Sequence, residues 1–220
     1  MTLPRPSSEL RARVLLSASR EDAAPRDRVW RRERWLWLSV CAVPLLIFLA
    51  FGGVRDAPRP PTLVLRTSLG AAAIAVVCGV LGLSRGRSTL GRARVWLFGS
   101  ALLAPLALLA WKVVSSAAFD QMMVMWPARV GLRCFWLSCL LALWPLTALV
   151  LKRRQSDPVH PALTGAAIGA AIGAAIWVLV DLSCPVAYVP HLLLGHVLPL
   201  LLITTAGAGL GQRFIALRAT

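Results

Sequence analysis

Carboxylates are scarce in this chain. Asp and Glu together number nine in 220 residues, and Glu9, Glu21, Asp22, Asp27 and Glu33 all fall near the N-terminus. Asp181 is the only acidic residue in the last two apolar stretches, and it stands at the end of its stretch. Proton-coupled transport normally needs acidic groups near the bilayer midplane, and this pattern offers none. Asp181 is expected at the interface. Lysine occurs only twice and histidine three times, at 160, 191 and 196. There is no HExxH, no phosphate-cradling glycine loop and no Ser-His-Asp arrangement. The cysteines at 41, 78, 134, 139 and 184 form no CxxC or zinc spacing. The sequence therefore points away from an enzyme, and no cofactor is expected.

What the chain does have is apolar length. Hydrophobic residues make up 58%, and mean hydropathy is +0.71; a soluble domain would sit near roughly 45–50% apolar. The excess is gathered in blocks of about 20 residues, the length of a membrane-spanning helix. Six spans are predicted, at 35–53, 63–84, 95–115, 131–151, 162–182 and 192–211. Pro44, Pro105, Pro145 and Pro199 lie inside them, which membrane helices tolerate where neighbours satisfy the freed carbonyls. The expected fold is all-α: an integral membrane bundle of six helices, 35–212, behind an Arg-rich tail, 1–34, with a short end segment, 213–220. The first apolar run begins near Trp35, behind a tail too long for a signal-peptide n-region, so no cleavable signal peptide is expected.

The formal charge of +15 raises the question of nucleic acid. The basic residues, however, lie in the tail and in short loops beside apolar runs, where they act as topogenic charge. No direct nucleic-acid binding is expected; the non-protein partner is membrane lipid. Eighteen Lys and Arg fall on one side, counting the tail, loop 85–94, loop 152–161 and the C-terminus, against Arg55, Arg59 and Arg129 on the other. Both termini are thereby expected in the cytoplasm, and the stretch "DLSCPVAYVPH", 181–191, faces outward.

Four features stand out along the chain. In the tail, "PSSELRARVLLSASRED" reads as a short helix with Leu10, Val14 and Ala18 on one face and Leu15 beside them. It is either a solvated juxtamembrane segment or a helix that docks on a cytoplasmic partner. In span five, Gly165, Gly169 and Gly173 recur every fourth residue, a doubled GxxxG that lets another helix approach closely. Packing within one chain is the expectation and dimerisation the alternative. His191 and His196 are five apart, about 140° around an ideal helix, and so are not expected to share a face; a haem site is not expected. Cys134 opens span four at the outer end, Cys139 lies deeper and faces elsewhere, and Cys184 lies in the outer loop. By depth Cys134 is the partner of Cys184, and Pro185 fixes the chain after it. The two thiols form either a redox- or metal-sensitive pair or two unrelated buried groups.

Six spans with both ends inside, the "RCFWLSC" that opens span four, and above all "TGAAIGAAIGAAIWVLVDLSCPVAYVPHLLLGHVLPLLLITTAGAGLGQRF" resemble the NrsF-like family of polytopic anti-sigma factors, negative regulators of sigma F. Small polytopic anti-sigma proteins of the light-response CarR type share the general design. The resemblance covers the whole chain by architecture and spans four to six by motif. It implies a non-enzymatic inner-membrane protein that sequesters an ECF-type sigma factor through its cytoplasmic tail and loops and releases it on a stimulus. The family's cysteine pair matches Cys134 and Cys184. Leu10, Val14 and Leu15 become the expected sigma contacts, helped by Arg85, Arg87, Arg92 and Arg94. The second span-four cysteine, Cys139, departs from the family pattern. The rival readings are a small transporter, a membrane subunit of a redox complex, or a membrane scaffold.

Overall fold

A computed structural model describes residues 26–54, 60–83, 94–117, 130–154, 159–184 and 186–216. The chain divides into two compact units, 1–39 and 40–220. The described residues form six helices: α1 (Arg26–Ala50), α2 (Pro61–Leu83), α3 (Arg94–Ser116), α4 (Leu132–Lys152), α5 (Pro161–Ser183) and α6 (Val189–Ile215). Each is long and apolar enough to cross a membrane. The protein is an all-helical membrane protein.

Helix α5 is the centre of the second unit. It packs against α2, α3, α4 and α6, and 72% of its apolar window is buried, compared with 22% for α2. Its small side chains explain this. Ala167, Ile168, Ala170 and Ala174 are wholly enclosed, and nothing bulky holds neighbours away. Ala174 and Trp177 meet Ala71, Leu108 and Leu200 from three other helices, while Ala170 and Ala171 meet Cys78 and Ala104. The outward sides of the bundle stay apolar and exposed, as at Leu46, Leu65, Leu103 and Leu143. That is the pattern of a protein whose solvent is lipid.

The closest approach is between α5 and α6. A Cβ placed on Gly165 would strike the backbone of Gly207 and Gly211; one on Gly169 would strike the Ile203 carbonyl and the Thr204 Cα; one on Gly173 would strike the Leu200 side chain. Gly207 and Gly211 face Gly165 in return. The two helices therefore touch backbone to backbone along the stripe. Gly70 plays a similar part between α2 and α3, making room for the Trp111 ring, whose Nε1–H donates to the Arg66 carbonyl at 3.3 Å.

Asp181 lies near the end of α5, where its side chain is buried and pairs with Lys112 of α3, Nζ to Oδ1 at 2.5 Å. A cation from a helix distant in sequence accounts for its burial. The backbone carbonyl of Asp181 accepts the Cys184 N–H at 3.3 Å, so the residue that ties α5 to α3 also ends α5. At the same end of the bundle, Arg133 in the first turn of α4 donates from Nη2 to the Phe51 carbonyl at 2.7 Å, joining α4 to the turn that follows α1.

Two expectations follow. Gly169→Leu should abolish accumulation of folded protein, because the new side chain meets main chain that cannot swing aside; Leu193→Ala, at a half-exposed position, should accumulate normally. Immunoblots of membrane fractions compare the two. Lys112→Met strands a buried carboxylate and should destabilise the detergent-solubilised protein by about 3–5 kcal/mol. Adding Asp181→Leu should recover most of that loss in thermal unfolding. A single variant as stable as wild type would mean the pair is solvated.

Candidate functional site

Three parts of the chain converge at the outer end predicted from charge. The first is the start of α4. Gly131 precedes it with φ 91°, a left-handed conformation that glycine adopts without strain, and Cys134 lies in the first turn. The second is Cys184, the extended residue that caps α5. The third is the beginning of α6, with Pro190 in its first turn and His191 directly after.

Helix α6 then departs from regular α geometry. Residues Leu193–Val197 form a π-helical turn, in which the Leu198 N–H donates to the Leu193 carbonyl, five residues back. Pro199 has no N–H to offer the carbonyl four residues before it, which favours a widened turn here. The extra residue changes which side chains align. His191 and His196, expected on different faces, instead stand together with ring centroids 5.8 Å apart. The expectation failed because it assumed 3.6 residues per turn through a segment that does not have them.

Gly195, inside the wide turn, lets α4 come close. A Cβ there would lie 3.0 Å from the Gly131 carbonyl oxygen and 3.2 Å from the Cys134 Cβ. A Cβ on Gly131 would lie 3.0 Å from the His191 carbonyl oxygen. These two glycines press the first turn of α4 onto α6.

The outcome is a compact cluster. Cys184 Sγ lies 3.1 Å from His191 Nε2, and Cys134 Sγ lies 3.7 Å from the same nitrogen. One ligand atom from each of Cys134, Cys184, His191 and His196 can be chosen so that all four lie within 4.8 Å of one another. Cys184, His191 and His196 are buried and Cys134 is half-buried. The Trp177 ring covers His196, centroids 5.1 Å apart. Both cysteines are free thiols. The contact from Cys134 holds the Cys184 thiol well below its ordinary range and His191 adds to this, while burial opposes it. A cavity of about 400 Å³ reaches the cluster, with Cys134, Cys184 and His191 in its wall and the exposed Val130, Leu132 and Arg133 at its rim.

The residues singled out from sequence are distributed as follows. Cys134 and Cys184 come together, and Cys139 lies outside the cluster. Gly165, Gly169 and Gly173 line the contact with α6. Arg94 is the exposed first residue of α3. Leu10, Val14, Leu15, Arg85, Arg87 and Arg92 lie outside the described residues, as does Pro185. The residues missed were His191, His196, Gly131 and Gly195. Two histidines shortly after a Cys-Pro, next to a helix carrying a proline at 199, were the available signal.

No curated protein and no solved structure matches this chain. Residues 16–216 match the family model NrsF, negative regulator of sigma F. With six membrane-length helices and a match running through nearly all of its length, the chain belongs to the NrsF family of negative regulators of sigma F.

Proposed function

We propose that this protein is an inner-membrane anti-sigma factor. It holds an ECF-type sigma factor at the bilayer and releases it when the cluster at the outer end changes state, so that it represses transcription until the stimulus arrives. The observation that carries this reading is a built cluster of thiols and imidazoles at one end of a bundle whose family antagonises sigma factors. The regulator needs no catalysis and no contact with DNA; occupying the sigma surface is enough. The transporter alternative is weakened because Asp181, its nearest candidate carboxylate, is engaged by Lys112.

In this reading both termini and the loops 85–94 and 152–161 face the cytoplasm. The tail helix with Leu10, Val14 and Leu15 supplies the apolar contact, and Arg85, Arg87, Arg92 and Arg94 meet acidic groups on the sigma factor. Helix α4 links the two ends. Its first turn carries Cys134, and its last leads into 153–160, about 30 Å away at 1.5 Å per residue. Since α5 and α6 are locked together by their glycine contact, a change at the cluster is relieved by moving α4 against that pair. Shifting the sigma factor from 99% bound to 99% free requires a differential of about 5.5 kcal/mol between the two states. A tail helix and two loops acting together are large enough to supply it.

Topology is checked by reporter fusions: those at residues 90, 156 and the C-terminus should report cytoplasm, and those at 58, 122 and 187 the outer side. An inverted pattern would place the cluster in the reducing cytoplasm and overturn the stimulus route. Binding and sensing are separated by a reporter of the sigma regulon. Deleting 7–19 should leave a membrane-inserted protein that no longer represses. Cys134→Ser or Cys184→Ser should change basal repression or remove the response to the stimulus, and Cys139→Ser should do neither. Full repression by the deletion variant would assign sigma binding to the loops alone.

A further inference from the structure

The thiol pair leaves half of the cluster unexplained. His196 is 2% exposed, and beyond its approach to the Cys184 thiol neither of its ring nitrogens makes a well-formed hydrogen bond. A buried polar group without a partner is costly, and one enclosed beside two thiols and a second imidazole points to a missing ligand.

We propose that Cys134, Cys184, His191 and His196 form a closed, four-ligand site for one Zn²⁺ ion. Donor chemistry, spacing and charge all favour this ion. Two sulfurs and two imidazole nitrogens in a tetrahedral array are the donor set of Zn²⁺, a d10 cation without redox chemistry. With metal–ligand distances of about 2.0–2.3 Å, the edges of such a tetrahedron measure roughly 3.3–3.8 Å. The ligand atoms already lie within 4.8 Å of one another, and the Cys134–His191 and Cys184–His191 distances are 3.7 and 3.1 Å. The remainder is about 1 Å, a scale that side-chain rotation covers. On binding, each cysteine gives up its thiol proton to water and each histidine binds as neutral imidazole through one nitrogen. Two thiolates and Zn²⁺ sum to zero charge, and the neighbouring Lys112–Asp181 pair is also neutral, so the loaded site puts no net charge into a region of low dielectric. The cavity rimmed by Val130, Leu132 and Arg133 gives the ion a route in.

Four protein ligands leave no open position for substrate, so the ion is structural or regulatory rather than catalytic. Its ligands come from α4, from the residue after α5, and from the first two turns of α6. Binding therefore clamps α4 onto the α5–α6 pair at the point where Gly131 faces Gly195. The wide turn of α6 has a direct use here: it is what allows two histidines five residues apart to reach one ion. This deepens the reading of the cluster as the place where the stimulus enters, but its test reads metal on the protein and not repression.

The test uses the full chain, purified under reducing conditions in detergent or nanodiscs. Equilibrated with Zn²⁺ and then dialysed, it should retain one equivalent by elemental analysis. Co²⁺ in place of Zn²⁺ should give the intense visible bands of a tetrahedral ion together with a thiolate charge-transfer band. Cys184→Ser and His196→Ala should each weaken retention at least tenfold, and Cys139→Ser should leave it unchanged. Should His196→Ala fail to accumulate, His196→Cys serves instead: a ligating histidine replaced by cysteine keeps the tetrahedral spectrum and adds charge-transfer intensity. An octahedral Co²⁺ spectrum, Zn²⁺ retention indifferent to His196, or His196→Cys without added charge transfer would each overturn the site. Zn²⁺ retained by a protein that binds no sigma factor would fault only the anti-sigma reading; repression without any Zn²⁺ would fault only this one.

Discussion

Where Gly165 faces Gly207 and Gly211, no side chain separates α5 from α6, and α2, α3 and α4 all pack against α5. Lipid offers no hydrophobic drive for helices to associate, so close van der Waals packing must supply it. A stripe of glycine and alanine lets two backbones meet directly at Gly165 and Gly169. With α5 and α6 so close, a connection of only five residues, 184–188, can join them. That short connection keeps Cys184 beside His191. The cluster at one end is thus a consequence of the absence of side chains along the middle.

The bilayer made the spans legible in the sequence. It demands about twenty apolar residues per crossing, and each of the six blocks meets that demand on its own. The depth of Cys134 and Cys184 could be read in the same way, by counting from the predicted boundary. His191 and His196 could not, because their alignment depends on a single extra residue in one turn of α6, and hydrophobic periodicity does not register that. Nor could Asp181, whose partner lies on α3. A pairing between distant helices leaves no trace in a local window.

The end of the bundle that carries the cluster is chemically unlike the rest. Lys112, Ser115, Ser116 and Asp181 are all buried there, beside two histidines and two cysteines. In a medium of low dielectric, polar groups that are fully satisfied rigidify a structure, and unpaired ones are costly. The glycine stripe between α5 and α6 is apolar and indifferent to ions or oxidants. The polar cluster and the apolar stripe therefore occupy separate parts of one helix pair, and α4 touches both.

The Lys112–Asp181 pair also constrains how the protein is made. Asp181 follows Lys112 by 69 residues, so at roughly 5–20 residues per second the lysine leaves the ribosome roughly 3–14 s before its counterion. During that interval α3 lacks the partner that Lys112 meets in the finished bundle, and a long lysine side chain near a helix end can reach toward the lipid headgroups instead. A chain arrested before α5 is thus left with a lysine whose buried counterion has not been made.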